Sequence, residues 1–166
     1  MAKLHEVHQS RQRIHVMEKM NGCAIYGADL HLPHMLYAKG VVTGCPYGEI
    51  RAIHTEEALN IPGVRGVYTA EDIPGHNGFG AFCKDEPILA ERYVKFAGDV
   101  VAVVVADSPV LAEQGAKAVR VELTPLKPVL TVEEALSGEI VINPAYPDNL
   151  CASQHLIKGD AAAALA

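Results

Sequence analysis

Gly98-Asp99-Val100-Val101-Ala102-Val103-Val104-Val105-Ala106-Asp107-Ser108-Pro109, inside the segment from Val94 to Val119, reads as a glycine turn, a buried strand and the start of a helix. An uninterrupted aliphatic run of this length is expected of a strand covered on both faces. Asp107 or Ser108 caps the helix that follows. Pro109 stands at its first position, where a missing N–H costs nothing. Leu111, Gly115, Ala118 and Val119 share one face of that helix, and their small members allow it to lie close on a sheet. Arg120 to Leu123 then reads as a strand with Val121 and Leu123 on one side. Strand, helix and strand of these lengths predict a compact crossover unit.

Upstream lies a second ordered run, Pro62-Gly63-Val64-Arg65-Gly66-Val67-Tyr68-Thr69-Ala70-Glu71-Asp72-Ile73-Pro74-Gly75. Val64 to Tyr68 is a strand. Thr69 and Asp72 form a capping box for one helical turn, closed by Pro74-Gly75. Ahead of it, Ala24 to Leu32 and Met35 to Thr43 read as strands. Glu49 to His54 alternates apolar and polar residues, as a strand at a sheet edge does. Thr55 is placed to cap a short helix over Glu56 to Leu59, with acids in its first turn. Downstream of Leu123, Thr131-Val132-Glu133-Glu134 is a capping box for a short helix through Leu136. Glu139 to Ile142 adds a candidate strand. Asp160 caps an alanine helix at the end of the sequence, which carries the expectation of a fragment cut from a longer chain. Residues 1–21, polar and holding His5, His8 and His15, read as an extended arm. The domain proper spans 22–142, and 143–166 reads as a linker toward catalytic domains that lie elsewhere.

Composition narrows the function classes. The chain has 166 residues, of which 49% are hydrophobic, with six Tyr, three Phe and no Trp, so the core is aliphatic. A net charge of −6 disfavours nucleic acid or an anionic membrane as partner, because both need a basic face. No apolar run approaches the roughly 20 residues of a membrane span, and the first residues lack the apolar core of a secretory signal. A cytoplasmic setting is expected. Cys23, Cys45, Cys83 and Cys151 are irregularly spaced with no CxxC pair, so free thiols are expected rather than a zinc or iron–sulfur site.

No local spacing assembles a catalytic constellation. Asp85-Glu86 pairs two acids, but neighbours in an extended loop point in different directions. His31 and His34, flanking Pro33, read as surface-turn residues. Tyr37, Tyr47, Tyr68 and Tyr93 read as half-buried strand residues. Gly78-Phe79-Gly80 is a structural turn and not a phosphate loop, because no helix N-terminus follows it and no Lys-Ser/Thr pair accompanies it. The expectation is therefore no catalytic, cofactor-binding or metal residue in this chain.

In their order, these blocks resemble the α/β hammerhead domain of the molybdenum hydroxylases, the xanthine dehydrogenase and aldehyde oxidase family. The opening is Gly22-Cys23-Ala24-Ile25-Tyr26, then Asp29 to Pro33 and Met35 to Lys39. Cys45-Pro46 with Ile50 to Ile53 and Thr55 follows. Pro62-Gly63-Val64 with Thr69 to Gly75 is the most specific block, and Asp85 to Ala90 with Gly98 to Ala106 completes the set. The resemblance implies an α+β fold, a mixed sheet with short helices packed on it, from the N-terminal part of a molybdopterin-binding large subunit. It implies a parent enzyme that hydroxylates purines, other N-heterocycles or aldehydes with oxygen from water, using molybdopterin-bound molybdenum, [2Fe-2S] centres and often FAD. It implies as partners the catalytic domains of the same subunit and the iron–sulfur and flavin domains or subunits. The family's pterin-contacting glycines and catalytic Glu find no counterpart here. The chain departs from the family pattern at Cys45, usually Ser, at Glu49, commonly basic, and at His54, commonly acidic, which leaves the substrate open.

Two other classes remain: a free-standing protein- or small-molecule-interaction module reusing the fold, and a metal-binding protein built on the eight histidines. An apolar surface that other domains cover is also expected, with self-association of the isolated piece as its consequence.

Overall fold

A computed structural model describes residues 10–81 and 84–165. The chain divides into two compact units, Met1–Met35 and Leu36–Ala166.

Within the first unit, α1 (Val16–Met20) is a single helical turn, and Gly27–Asp29 forms a 3-10 turn. The arm is thus not extended throughout. The strand expected over Ala24 to Leu32 is replaced by that turn. The Asp29 carboxylate accepts the Tyr26 N–H at 2.9 Å, a local side-chain bond that competes with a sheet ladder. His5 and His8 lie outside the described residues.

The second unit carries the hammerhead architecture. Its elements in chain order are β1 (Tyr37–Val42), β2 (Gly48–His54), α2 (Glu56–Leu59), β3 (Val64–Thr69), β4 (Tyr93–Val94), β5 (Val100–Ala106), α3 (Pro109–Ala118), β6 (Arg120–Pro125), α4 (Val132–Ser137) and α5 (Ala161–Leu165). Two three-stranded sheets form, β1-β5-β3 and β4-β2-β6. Their strand pairs are antiparallel. The aliphatic run is the central strand of the first sheet. Val101, Ala102, Val104 and Ala106 on β5 are buried, as a strand covered on both faces must be. β2 is central in the second sheet, between β4 and β6, and not at an edge. Its alternating pattern reflects one polar face rather than a free edge. β5, α3 and β6 do not cross over within one sheet, since α3 carries the chain from the first sheet to the second.

Val41, Ala58, Ala90, Val94, Val101, Val104 and Val119 form the core, with Ile50, Ile53, Val121 and Leu123 packed against it. Val94, Val101 and Val104 are fully buried, each contributing about 1.5 to 3 kcal/mol relative to exposure. α3 lies close on β5 because Gly115 faces Val104 and Val64. A Cβ there would stand 2.7 Å from Val104 Cγ1 and 3.1 Å from Val64 Cγ2. Ser108, of the two expected caps, holds the helix start, its hydroxyl accepting the Leu111 N–H at 3.2 Å. Asp107 instead accepts two hydrogen bonds from Arg65 at 2.7 Å. Thr55 makes no side-chain cap bond, whereas Thr131 does, accepting the Glu134 N–H at 3.1 Å. The Thr69–Asp72 box is also present, the Asp72 carboxylate accepting the Thr69 N–H at 2.7 Å.

No strand forms over Glu139 to Ile142. Asn149, at a φ of 55°, accepts the Ile142 N–H at 3.0 Å and donates to the carbonyls of Ile140 at 2.7 Å and Ala135 at 2.9 Å. Its side chain stands in for the partner strand. Asp160 caps α5 as expected, accepting the Ala163 N–H at 3.0 Å.

Candidate functional site

The loop from Pro74 to Asp99 is the most organised irregular segment of the second unit, and one asparagine organises it. Asn77 Oδ1 accepts the N–H groups of Ile88 at 3.0 Å and Leu89 at 3.1 Å. Its Nδ2 donates to the Leu89 carbonyl at 2.7 Å and to Glu91 Oε1 at 3.0 Å. All of its side-chain hydrogen-bonding directions are thus committed. His76 Nε2 donates to the Lys84 carbonyl at 3.0 Å. Phe79 and Glu86 exchange main-chain bonds of 2.8 and 3.3 Å. Gly78 fits between, where a Cβ would meet the Lys84 carbonyl at 2.8 Å. The Gly78-Phe79-Gly80 turn is therefore half of a small two-stranded clasp.

The far end of the loop is tied with equal economy. Asp99, only 8% exposed, accepts the Lys95 N–H at 2.8 Å. The Ala90 N–H donates to the Val100 carbonyl at 2.8 Å, fastening the loop to β5. Held this way, Phe79, Ile88 and Phe96 remain 54%, 50% and 56% exposed. With Pro87 they line a shallow hollow of about 340 Å³. Asp85 lies between it and a polar hollow of about 410 Å³ that His76, Glu91 and Lys95 border. Phe79, Ile88 and Phe96 thus form an exposed apolar patch rimmed by charge, of the kind that marks interaction sites. His76 is occupied by a main-chain carbonyl, and Asn77 by main-chain groups and Glu91. Sequence reading takes His76 to Cys83 as a loop and Ile88 to Ala90 and Val94 to Ala97 as short extended pieces, and misses the surface. Its only signal was that all three phenylalanines of the chain, Phe79, Phe82 and Phe96, fall within it.

The other singled-out residues lie each within its own unit. His31 and His34 are exposed and lie in the first unit. His15 Nδ1 is 3.0 Å from Glu18. Cys23, Cys45 and Cys151 are free thiols, while Cys83 lies outside the described residues. Among the described residues no three His, Cys, Asp or Glu side chains gather where a metal could sit. Tyr47 is buried with its ring 6.3 Å from that of Tyr93. Burial, and then the neighbouring Tyr93, push its phenol above the ordinary tyrosine range. Tyr68 is more exposed than its strand position suggested, at 49%.

The three departures are absorbed locally. Glu49 lies 2.8 Å from Arg51 and 3.4 Å from Arg92, and Arg92 in turn sits 5.2 Å over the Tyr93 ring. His54 is 3.0 Å from Glu122, whose carboxyl is held below its ordinary range by hydrogen bonds from Arg120 and then His54. The Cys45 thiol donates to the Tyr47 carbonyl at 3.3 Å.

Comparison with known proteins adds the relationships. Residues 21–127 match the family described as aldehyde oxidase and xanthine dehydrogenase, a/b hammerhead domain. The chain is 34% identical over 158 residues to the nicotinate dehydrogenase large molybdopterin subunit of Eubacterium barkeri, covering 94% of this chain and 36% of that one. It is 31% identical over 137 residues to the xanthine dehydrogenase/oxidase of Gallus gallus, covering 81% and 10%. Among solved structures, the aldehyde oxidoreductase of Desulfovibrio gigas superposes with a TM-score of 0.76 at 33% identity, covering 81% of this chain and 16% of that one. The chain thus spans about a third or less of the relatives it matches.

Proposed function

The chain belongs to the aldehyde oxidase and xanthine dehydrogenase a/b hammerhead family, and from that premise we propose that it is the non-catalytic interface domain of a molybdenum-dependent hydroxylase. The observation that carries this reading is the clasped loop, which spends its polar groups on holding Phe79, Ile88 and Phe96 outward. An enzyme's own loop at a reacting centre keeps its histidines and carboxylates free for substrate, whereas this one satisfies His76 and Asn77 internally. The outward face packs on the catalytic domains of the same large subunit. The parent enzyme also uses iron–sulfur and flavin domains or subunits, and acts in the cytoplasm. Residues 1–21 are then an arm, 22–142 the hammerhead, and 143–166 the link to the catalytic domains.

Molybdopterin-bound molybdenum, [2Fe-2S] clusters and FAD are the cofactors expected of the parent. The described residues assemble no cysteine cluster of the kind an iron–sulfur centre needs. The three described cysteines are single, and no convergent donor set exists among the described residues. The chemistry assigned to the parent is hydroxylation of a purine, another N-heterocycle or an aldehyde, with nicotinate and xanthine as candidates suggested by the relatives. No step of it is routed through this chain.

Two measurements test the reading. The purified chain, supplied with molybdenum cofactor and a dye acceptor, shows no oxidation of nicotinate, xanthine or an aldehyde; cofactor-dependent turnover overturns the non-catalytic assignment. The triple variant Phe79→Ser, Ile88→Ser, Phe96→Ser keeps the circular dichroism of the isolated chain but fails to assemble in the complete enzyme. Normal assembly of that variant removes the clasped loop as the interface.

A further inference from the structure

A second surface differs in kind from the clasped loop. Among the described residues β1 pairs only with β5, and β6 pairs only with β2, so each is the outer strand of its sheet. A groove of about 480 Å³ runs between them, with the C-terminal half of α3 beside it. Lys39, Gly40, Val41, Val42 and Thr43 all line it, as do Arg120, Val121 and Leu123. Consecutive residues of a strand line a groove only when the groove follows the strand's edge, because one face of a sheet shows alternate residues. The groove therefore follows the backbone edge of β1, a surface that natural proteins otherwise cover or blunt, and meets β6 on the side that carries Val121 and Leu123.

Its chemistry is specific. Val41 and Val119 are core residues at the floor, flanked by half-buried Val121 and Leu123. Lys39, Lys117 and Arg120 stand at the rim against a single lining acid, Glu113. Glu113 accepts from Lys117 at 2.9 Å, and its carboxyl is held below its ordinary range by that bond and by the charges of Lys117 and Lys39. Arg120 in turn is paired with Glu122, so the rim keeps a surplus of one positive charge, carried by Lys39, on a chain of net charge −6.

We propose that the groove accepts an extended segment of the longer polypeptide by strand addition to β1. The segment alternates apolar residues, directed at Val41, Val121 and Leu123, with acidic residues directed at Lys39, Lys117 and Arg120. Main-chain bonds to the outer edge supply affinity, and alternate side chains supply register. A second copy of this chain is disfavoured as occupant, because β1 against β1 would bring like-charged rims together. The inference rests on the chain being one domain of a larger subunit, but its test is independent of the clasped loop and of turnover.

The probe is a blocked synthetic heptapeptide, Val-Glu-Val-Glu-Val-Glu-Val, titrated into the 15N-labelled chain, with the Val/Lys analogue as control. Binding of the acidic peptide is expected to shift and protect amides within Lys39 to Thr43. Affinity is expected to fall about five-fold or more between low and physiological salt, as screening of a rim contact requires. Lys39→Glu with Arg120→Glu, whose retained fold is read from the same spectra, weakens binding about ten-fold. The triple serine variant of the clasped loop leaves binding unchanged. Equal binding of the lysine peptide, shifts confined to the Phe79 face, dimerisation through the groove in sedimentation, or no shift at millimolar peptide each overturns the proposal. None of these outcomes alters the turnover and assembly results by which the interface-domain reading stands or falls.

Discussion

Alanine at Gly115 sets helix propensity against packing, and the structure decides which wins. In the interior of α3 the change from glycine gains about 1 kcal/mol of propensity. The added Cβ, however, stands 2.7 Å from Val104 Cγ1 and 3.1 Å from Val64 Cγ2, where unstrained carbons sit roughly 3.5–4.0 Å apart. Val104 cannot yield easily. It is fully buried at the centre of β5, and its branched side chain is restricted in χ1. Relief requires α3 to lift from the sheet, and overpacking of this kind costs about 1 to 3 kcal/mol. The propensity gain offsets part of that cost and leaves a net loss of up to about 2 kcal/mol, a fall in the urea midpoint of up to about 1 M at an ordinary m-value. Equilibrium urea unfolding followed by circular dichroism measures it. Val104→Ala removes the obstructing methyl, so the double variant should be less damaged than the sum of the singles by at least about 0.5 kcal/mol. A raised midpoint for Gly115→Ala, or strictly additive costs, refutes the argument that close approach selects glycine here.

Asn77→Ala removes the four side-chain bonds that hold the clasped loop and should cost about 1 to 3 kcal/mol. Amide exchange at Ile88 and Leu89 should accelerate well before exchange in β5. Ser108→Ala deletes the cap of α3 and is expected to lower stability by about 1 kcal/mol, while Thr55→Ala, at a helix start with no side-chain cap bond, should change little; unfolding curves of both compare them directly. Asp107 is held below its ordinary range by its hydrogen bonds from Arg65, Glu122 by those from Arg120 and His54, and Glu134 by the Leu130 N–H. Depressed carboxyls stabilise the fold above their unfolded values, so stability should be full at neutrality and fall as pH drops through and below the carboxylate range, with Glu122→Gln flattening that fall in urea midpoints. Tyr47 is raised, so the unfolded state ionises first and stability should decline as pH climbs through and beyond the ordinary tyrosine range; phenolate absorbance compared with Tyr47→Phe reads the late titration.

Local signals were legible wherever one short segment contains its own cause. The aliphatic run of β5, the proline after the Ser108 cap and the Thr69 box formed as read, and Thr131 caps α4 while the Glu134 carboxylate takes its bond from the Leu130 N–H. Each depends on a period or a bond spanning no more than a few residues. Failures occurred where a side chain replaced a distant partner. Asp29 closed a turn in place of a strand, and Asn149 satisfied Ile140 and Ile142 so that no strand formed there. Periodicity cannot register such substitutions, because asparagine and aspartate in loops look alike whether or not they are used.

The sequence by itself determined an aliphatic domain with two β-rich blocks around one helix, and its ordered motifs pointed to the family that the comparisons establish. Tertiary structure alone decided which strands share a sheet, that β2 is central, and that α3 joins two sheets instead of crossing one. It also decided that β1 and β6 are left as outer strands along one groove, and that Phe79, Ile88 and Phe96 stand outward together. The physical reason is range. A strand's burial pattern is written within its own residues, but its neighbours are chosen by contacts between segments dozens of residues apart, such as Tyr37 with Ala106 and His54 with Arg120.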